Sequence, residues 1–260
     1  GGAKGKEGTL TPLQAVSSAL AGCVGTANSA GVATAMVVGG PGAVFWMWVV
    51  ALLGMLTKCV EVTLGQYYRV KGEDGVYYGG PMYYIERGMG RKWKPLAVIF
   101  SVTIILGGLG TAAFAQPYTM STAVQNSLGI PAWITTVAAA VICGVVLLGG
   151  VKSIGGFCEK LTPAMCLIYV VGVLGVIIIN LEHVPAAFAA IFRYAFAPMP
   201  AVGGLAGSTV ALALRQGAAR GTFSNEAGCG SSPITHATAI TDHPFKEGMY
   251  GCFEVFVDTL

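Results

Sequence analysis

Charge is what this sequence has least of. Only 10% of its 260 residues are Asp, Glu, Lys or Arg, against 54% that are hydrophobic. Soluble domains carry about 25% charge, so a water-soluble globule is excluded. The formal net charge of +3 is small and scattered, which excludes the basic footprint of a nucleic-acid binder. Cysteine is present seven times, but no two form a CxxC pair and none sits in a Cys/His ligand cluster. Most lie in apolar runs, where a thiol is a small buried hydrophobe and not a disulfide or metal ligand. The ten-residue alternation of a membrane barrel is missing. Nothing patterns as a nucleophile triad or a phosphate loop, so no enzyme and no cofactor is expected. The sequence has no signal-peptide pattern, and its last apolar segment runs up to Leu260. The expectation is a piece of a longer protein.

What is there is a series of long apolar segments, the pattern of an all-α polytopic membrane protein. The first runs from about Pro12 to Val38, with Pro12 well placed at a helix start. Gly39-Gly40-Pro41-Gly42 turns the chain into a second segment, about Ala43 to Tyr68, which opens on the interfacial aromatics Phe45, Trp46 and Trp48. Lys58 and Glu61 stand three apart in it and can pair on one helix face. Arg69 to Lys94 is the longest polar connection. Within it Pro81 to Arg87 reads as a short amphipathic interfacial helix ended by Gly88. Further segments run from Pro95 to about Gln125, from Ala132 to Val151, and from Leu161 to Asn180. Lys152 to Lys160 reads as a loop. Pro185 to Phe196 is too short to span and suits the interface. The sixth segment covers Leu205 to about Ile240. A polar loop, Asp242 to Gly248, precedes a seventh that starts at Met249.

Two of these segments are interrupted. The first carries Gly25-Thr26-Ala27-Asn28-Ser29-Ala30-Gly31 at its centre. The sixth carries Ser224-Asn225-Glu226-Ala227-Gly228-Cys229-Gly230. Lipid offers no partner to an open backbone, so such breaks must face protein or a polar cavity. A continuous helix with a small-residue packing face is the alternative for the first. Five spans separate the two starts, which puts them in opposite orientations. Paired interruptions in inverted halves point to a secondary-transporter site. Half-helix amides would meet an anion, and carbonyl ends a cation. Lys and Arg are concentrated after segments two, four and six. This puts the N-terminus and those loops in the cytoplasm of a multi-pass cell-membrane protein.

Three motifs in order carry a resemblance over essentially the whole chain. They are Gly39-Gly40-Pro41-Gly42-Ala43-Val44-Phe45-Trp46-Met47-Trp48, Gly79-Gly80-Pro81-Met82-Tyr83-Tyr84-Ile85 and Phe223-Ser224-Asn225-Glu226-Ala227-Gly228. The chain resembles the alanine or glycine:cation symporter family. The resemblance implies a LeuT-type fold of two inverted five-helix repeats, with residues 1–196 as the first repeat and 197–260 as the start of a truncated second. It implies Na⁺-coupled uptake of alanine or glycine. Where the family usually shows Gly-Thr-Gly-Asn-Ile-Ala-Gly, this chain has Ala27 and Ser29, a departure that narrows the first break.

The candidate substrate contacts are Thr26, Asn28, Ala30 and Gly31 in the first break, Gln116 in segment three, and Phe223, Asn225 and Gly228 at the second. Asn28 offers both donor and acceptor; the resemblance places substrate there, and a backbone cap is the alternative. Thr26, Ala30 and Gly31 contribute mainly backbone groups. Gln116 matches a polar position used by the family, with interhelical bonding the alternative. Phe223 is placed to wall a pocket or simply to pack. Gly25 and Asn28 are the candidate Na⁺ ligands. Glu226 reads as a structural charge paired with Arg220 or Arg215, because a carboxylate at this depth costs about 2.5–3.5 kcal/mol. His236 reads as a hydrogen-bonded interior histidine. The expected partners are a small neutral amino acid, Na⁺ and the lipid bilayer. Proton-coupled amino-acid transport and a passive channel are the alternatives.

Overall fold

The structure, a computed structural model, describes residues 8–25, 27–200 and 207–260. It is built almost wholly of helices. Among the described residues three helical runs are long and apolar enough to span a bilayer: Gly42–Tyr67, Arg91–Leu128 and Gly150–Ile179. Pro12–Cys23 and Asn28–Gly39 are long and apolar enough only when taken together, and the pair is bent by 46° at its break. The chain is therefore an all-α membrane protein.

The chain divides into two compact units. One comprises Gly1–Ala19, Cys59–Lys160 and Cys229–Tyr250; the other comprises Leu20–Lys58, Leu161–Gly228 and Gly251–Leu260. Helices α1 (Pro12–Cys23), α3 (Gly42–Tyr67), α8 (Gly150–Ile179) and α12 (Pro244–Thr259) each contribute residues to both.

In the first unit, a two-stranded hairpin of β1 (Val70–Lys71) and β2 (Tyr77–Tyr78) precedes α4 (Pro81–Met89). Asp74 in its turn accepts from the Tyr78 hydroxyl and from the Val76 N–H. These bonds hold its carboxyl below the usual carboxylate range. Pro81 starts α4, and Gly90 at φ 99° turns the chain out of it, two residues beyond the expected Gly88 stop. α5 (Lys94–Gly107), a π-helical turn (Gly108–Ala112) and α6 (Ala113–Leu128) form one long run. α7 (Ala132–Leu148) packs antiparallel-fashion beside it after a short turn. The short helix α11 (Ser232–His236) is held by α3: Gln66 donates to His236 O, and Arg69 Nη1 donates to Ala237 O and Ala239 O at 2.9 and 2.7 Å. His236 is fully buried with its Nδ1 2.8 Å from Glu247 Oε1, so it is a hydrogen-bonded interior histidine.

Two expected loops are helical. Lys152–Lys160 lies inside the 30-residue α8. Tertiary partners explain this: Gly155 lets Leu10 approach to within 2.8 Å of where a Cβ would stand, and Gln14 Nε2 donates to Glu159 at 3.0 Å. Likewise α12 begins at Pro244 and not beyond Gly248. Pro244 suits the first turn, and Gly248 lies so close to Cys59 O, 2.7 Å from an added Cβ, that only glycine fits.

In the second unit, α2 (Val32–Gly39) and α10 (Val210–Asn225) pack together. Thr209 caps α10 by accepting from the Leu212 N–H at 3.2 Å. Gly217 permits the approach of α3, since a Cβ there would stand 2.4 Å from Ala43 O. Ala35, Ala43 and Met47 form a buried hydrophobic cluster there. The aromatics that open α3 pack on α9 (Val184–Phe196): Phe45 lies edge-on to Phe192 and Phe196 at 5.7 and 5.1 Å, and Trp46 Nε1 donates to Ala195 O at 3.1 Å.

Candidate functional site

Both interruptions are real features of the second unit, and they meet. α1 ends at Cys23, and the chain resumes as a π-helical turn, Ala27–Gly31, before α2. A π-turn leaves backbone groups out of the ordinary α-helical ladder. Asn28 repairs part of that: its Oδ1 accepts from the Gly25 N–H at 2.8 Å. α10 stops at Asn225. The next residue, Glu226, sits at φ 53°, the only positive φ on a non-glycine among the described residues, and its N–H returns to Thr222 O. A left-handed residue is the usual way to end a helix, though glycine is the usual occupant.

The junction is a carboxylate cluster. Asn28 Nδ2 donates to Ser224 Oγ at 3.1 Å, to Asp258 Oδ1 at 2.8 Å and to Asp258 O at 2.8 Å. Ser224 Oγ donates to Asp258 Oδ2 at 2.8 Å, and Thr259 Oγ1 donates to the same oxygen at 2.7 Å. Three oxygens thus converge on one amide group that has only two hydrogens. An excess of acceptors beside a carboxylate is a place for positive charge. The cluster opens on a cavity of about 310 Å³ bounded by Asn28 and Val32, by Tyr169 and Val170 of α8, by Ser224, and by Asp258. Its walls are otherwise mostly apolar.

A second buried cluster lies at the ends of α1 and α10. Spacing along α3 pairs Lys58 with Glu61, but the ammonium goes elsewhere: Lys58 Nζ is 3.4 Å from Glu254 Oε2, and neither side chain is exposed. It also donates to Asn225 O at 2.8 Å and Cys23 Sγ at 3.2 Å. The buried ion pair near the second break is therefore Lys58–Glu254. Arg220 is half-buried and Arg215 exposed on α10.

The remaining expected site residues distribute as follows. Thr26 lies outside the described residues. Gly31 is buried, and Ala30 O is occupied by the Thr34 hydroxyl at 2.7 Å. Asn225 is 1% exposed, its Oδ1 accepts from the Ala227 N–H at 3.0 Å, and its Nδ2 has no hydrogen-bond partner among the described residues. Such a buried orphan donor is costly unless something accepts from it. Gly228 sits at φ 86° in the loop after α10. Phe223 is half exposed and does not line the cavity. Gln116 belongs to the first unit, on an exposed face of α6.

Sequence reasoning missed Asp258 and Glu254. The signal was available: two carboxylates four residues apart in the apolar run Phe253-Glu254-Val255-Phe256-Val257-Asp258. Each is expensive in a membrane helix and so needs a reason.

The profile of one family, the sodium:alanine symporter family, matches residues 1–260. An uncharacterized transporter of Haemophilus influenzae is 44% identical over 258 residues, 99% of this chain and 56% of its own length. The putative sodium/proton-dependent alanine carrier protein YrbD of Bacillus subtilis is 42% identical over 257 residues, covering 99% of this chain and 52% of its own. The sodium/alanine symporter AgcS of Methanococcus maripaludis is 40% identical over 256 residues, 98% of this chain and 56% of its own. The chain thus spans about half the length of the relatives it matches.

Proposed function

The chain belongs to the sodium:alanine symporter family, a family of transporters and not of enzymes, and on that premise we propose that this protein is a sodium-coupled symporter of small neutral amino acids, alanine or glycine, in the cell membrane. The observation that carries the reading is the meeting of both interrupted helices at Asn28, Ser224 and Asp258. Paired interrupted helices that build one site are the mark of secondary transport, and the family resemblance adds a LeuT-type inverted repeat and alternating access. The N-terminus and the basic loops lie on the cytoplasmic side by the positive-inside rule.

In this mechanism the Asp258 carboxylate and the Ser224 and Thr259 hydroxyl oxygens receive the cation. Asn28 gives way by turning its amide, which exchanges the Nδ2 donor for the Oδ1 acceptor without changing shape. The turn leaves the Gly25 N–H without that acceptor, and the Gly25 carbonyl, which the Asn28 N–H meets at 3.2 Å, is the backbone group it can offer the cation. The substrate carboxylate is met by the orphaned Asn225 Nδ2 and by amides of the first break near Ala30 and Gly31; Thr26 and Gly228 are further candidate contacts from the family pattern. A cavity of about 310 Å³ is at the small end of ligand sites, and the small residues of both breaks favour a side chain of one carbon or none.

The test is labelled alanine uptake by the full-length protein in liposomes, with a Na⁺, K⁺ or proton gradient supplied singly. Accumulation driven by Na⁺ alone is the expected result. Accumulation driven by the proton gradient alone would favour proton coupling, a second reading that the fully buried His236–Glu247 pair supports. Non-saturating flux without any gradient requirement would make the protein a channel.

A further inference from the structure

The two broken helices end on one point. α1 stops at Cys23 and α10 at Asn225. The last carbonyls of a helix have no intrahelical partner and carry the negative end of its dipole. Water normally meets them, but Asn225 is 1% exposed. The Lys58 ammonium meets the Asn225 carbonyl instead. It donates to Asn225 O at 2.8 Å and to Cys23 Sγ at 3.2 Å, with Glu254 Oε2 at 3.4 Å. One charge on α3 therefore touches α1, α10 and α12.

That surrounding is the donor set of a monovalent cation: a helix-end carbonyl and a carboxylate in a fully buried pocket. In discontinuous-helix transporters the carbonyl ends of half-helices are where coupling cations are coordinated. An ammonium and Na⁺ are both compact single positive charges that answer to the same oxygens. We infer that Lys58 is a tethered cation standing in a coupling-ion position, so that the protein satisfies the carbonyl end of the broken helix α10, beside the end of α1, with its own side chain instead of a second ion from solution. This rests on the symport reading above. It leaves the Asn28–Ser224–Asp258 cluster as the site that a mobile cation fills, and makes Lys58 a residue that sets coupling stoichiometry.

A merely structural ion pair makes a different prediction. Replacing such a pair by apolar residues is often neutral, and removing one partner destabilises whatever salt is present. The tethered-cation role instead ties the cost to which cation is available. Lys58→Ala removes the charge and leaves room for an ion. Lys58→Met removes the charge and fills the room.

The experiment uses the full-length protein. Alanine uptake into liposomes is titrated with Na⁺, and thermal unfolding in detergent is followed in NaCl against choline chloride, for the unmodified protein, Lys58→Ala, Lys58→Met and the double variant Lys58→Ala/Glu254→Gln. Lys58→Ala is expected to need about one more Na⁺, so that each tenfold dilution of limiting Na⁺ costs roughly tenfold more uptake than in the unmodified protein. Its unfolding midpoint is expected to rise with Na⁺ beyond the unmodified protein's response. Lys58→Met and the double variant are expected to lack both changes. Purification of Lys58→Ala in Na⁺ but not in choline supports the inference as well. Equal Na⁺ responses of Lys58→Ala and the unmodified protein overturn it, and so does a Lys58→Ala yield that is equally low in both salts. Failure of the unmodified protein to couple uptake to Na⁺ would sink the symport reading on its own; the unfolding titration still reads the Lys58 site.

Discussion

Asp258 is the residue on which the site turns. It accepts from Asn28, Ser224 and Thr259 within 2.8 Å, and among the described residues it supplies the one side-chain carboxylate facing the cavity. Asp258→Asn keeps the shape and removes the charge. A hydrogen bond to a charged group is worth about 1.5–3 kcal/mol, so the Na⁺ concentration for half-maximal uptake is expected to rise about tenfold to a hundredfold. Na⁺-titrated uptake of the variant measures this, and an unchanged midpoint would remove Asp258 from the cation site. Glu226 teaches the opposite lesson about a carboxylate. The sequence marks it as a charge in need of an arginine, yet its backbone is the informative part, a left-handed cap at φ 53° that ends α10.

At the scale of elements, the close approach of helices depends on absent side chains. Gly217 on α10 has Ala43 O of α3 2.4 Å from where a Cβ would stand, whereas Gly22 on α1 has nothing within 4 Å. Gly217→Ala must push α10 and α3 apart, an overpacking cost of about 1–3 kcal/mol. Gly22→Ala meets open space and gains helix propensity, with an expected stabilisation of about 0.5–1 kcal/mol. Thermal unfolding of the two variants in one detergent should move in opposite directions. Equal midpoints would mean that the α3–α10 contact carries no strain. The same dependence on partners explains α8, where contacts from Leu10 and Gln14 hold Lys152–Lys160 in a helix.

For the whole molecule, the residues that line the cavity make a claim about substrates. On the small-substrate reading proposed above, a leucine side chain would clash with the small residues of the two breaks at a cost of about 1–3 kcal/mol, or roughly tenfold to a hundredfold in affinity. Competition for labelled alanine uptake should fall in the order glycine, serine, valine, leucine. Tyr169 lines the cavity and Phe223 does not, so Tyr169→Ala should admit valine and leucine while Phe223→Ala should leave the order unchanged. Leucine competing as well as glycine in the unmodified protein would refute the small-substrate reading.

The sequence by itself determined that the chain is helical, lives in a membrane and interrupts two of its helices. Low charge, long apolar runs and the two glycine-rich breaks are local facts, and the bilayer forbids most other answers. Asn28 and Ser224–Asn225 were legible for the same reason, since polar groups in mid-helix must serve something. Which polar groups meet was not legible. Lys58 has Glu61 three residues away but takes Glu254, nearly two hundred positions along the chain. Asn28 finds Asp258, in a segment whose pattern says only that another helix begins. Lys152–Lys160 reads as a loop by charge and is a helix by packing. Long-range pairing depends on how helices are brought together in space, and a one-dimensional pattern of hydrophobicity and charge carries the cost of each buried polar group but not the address of its partner.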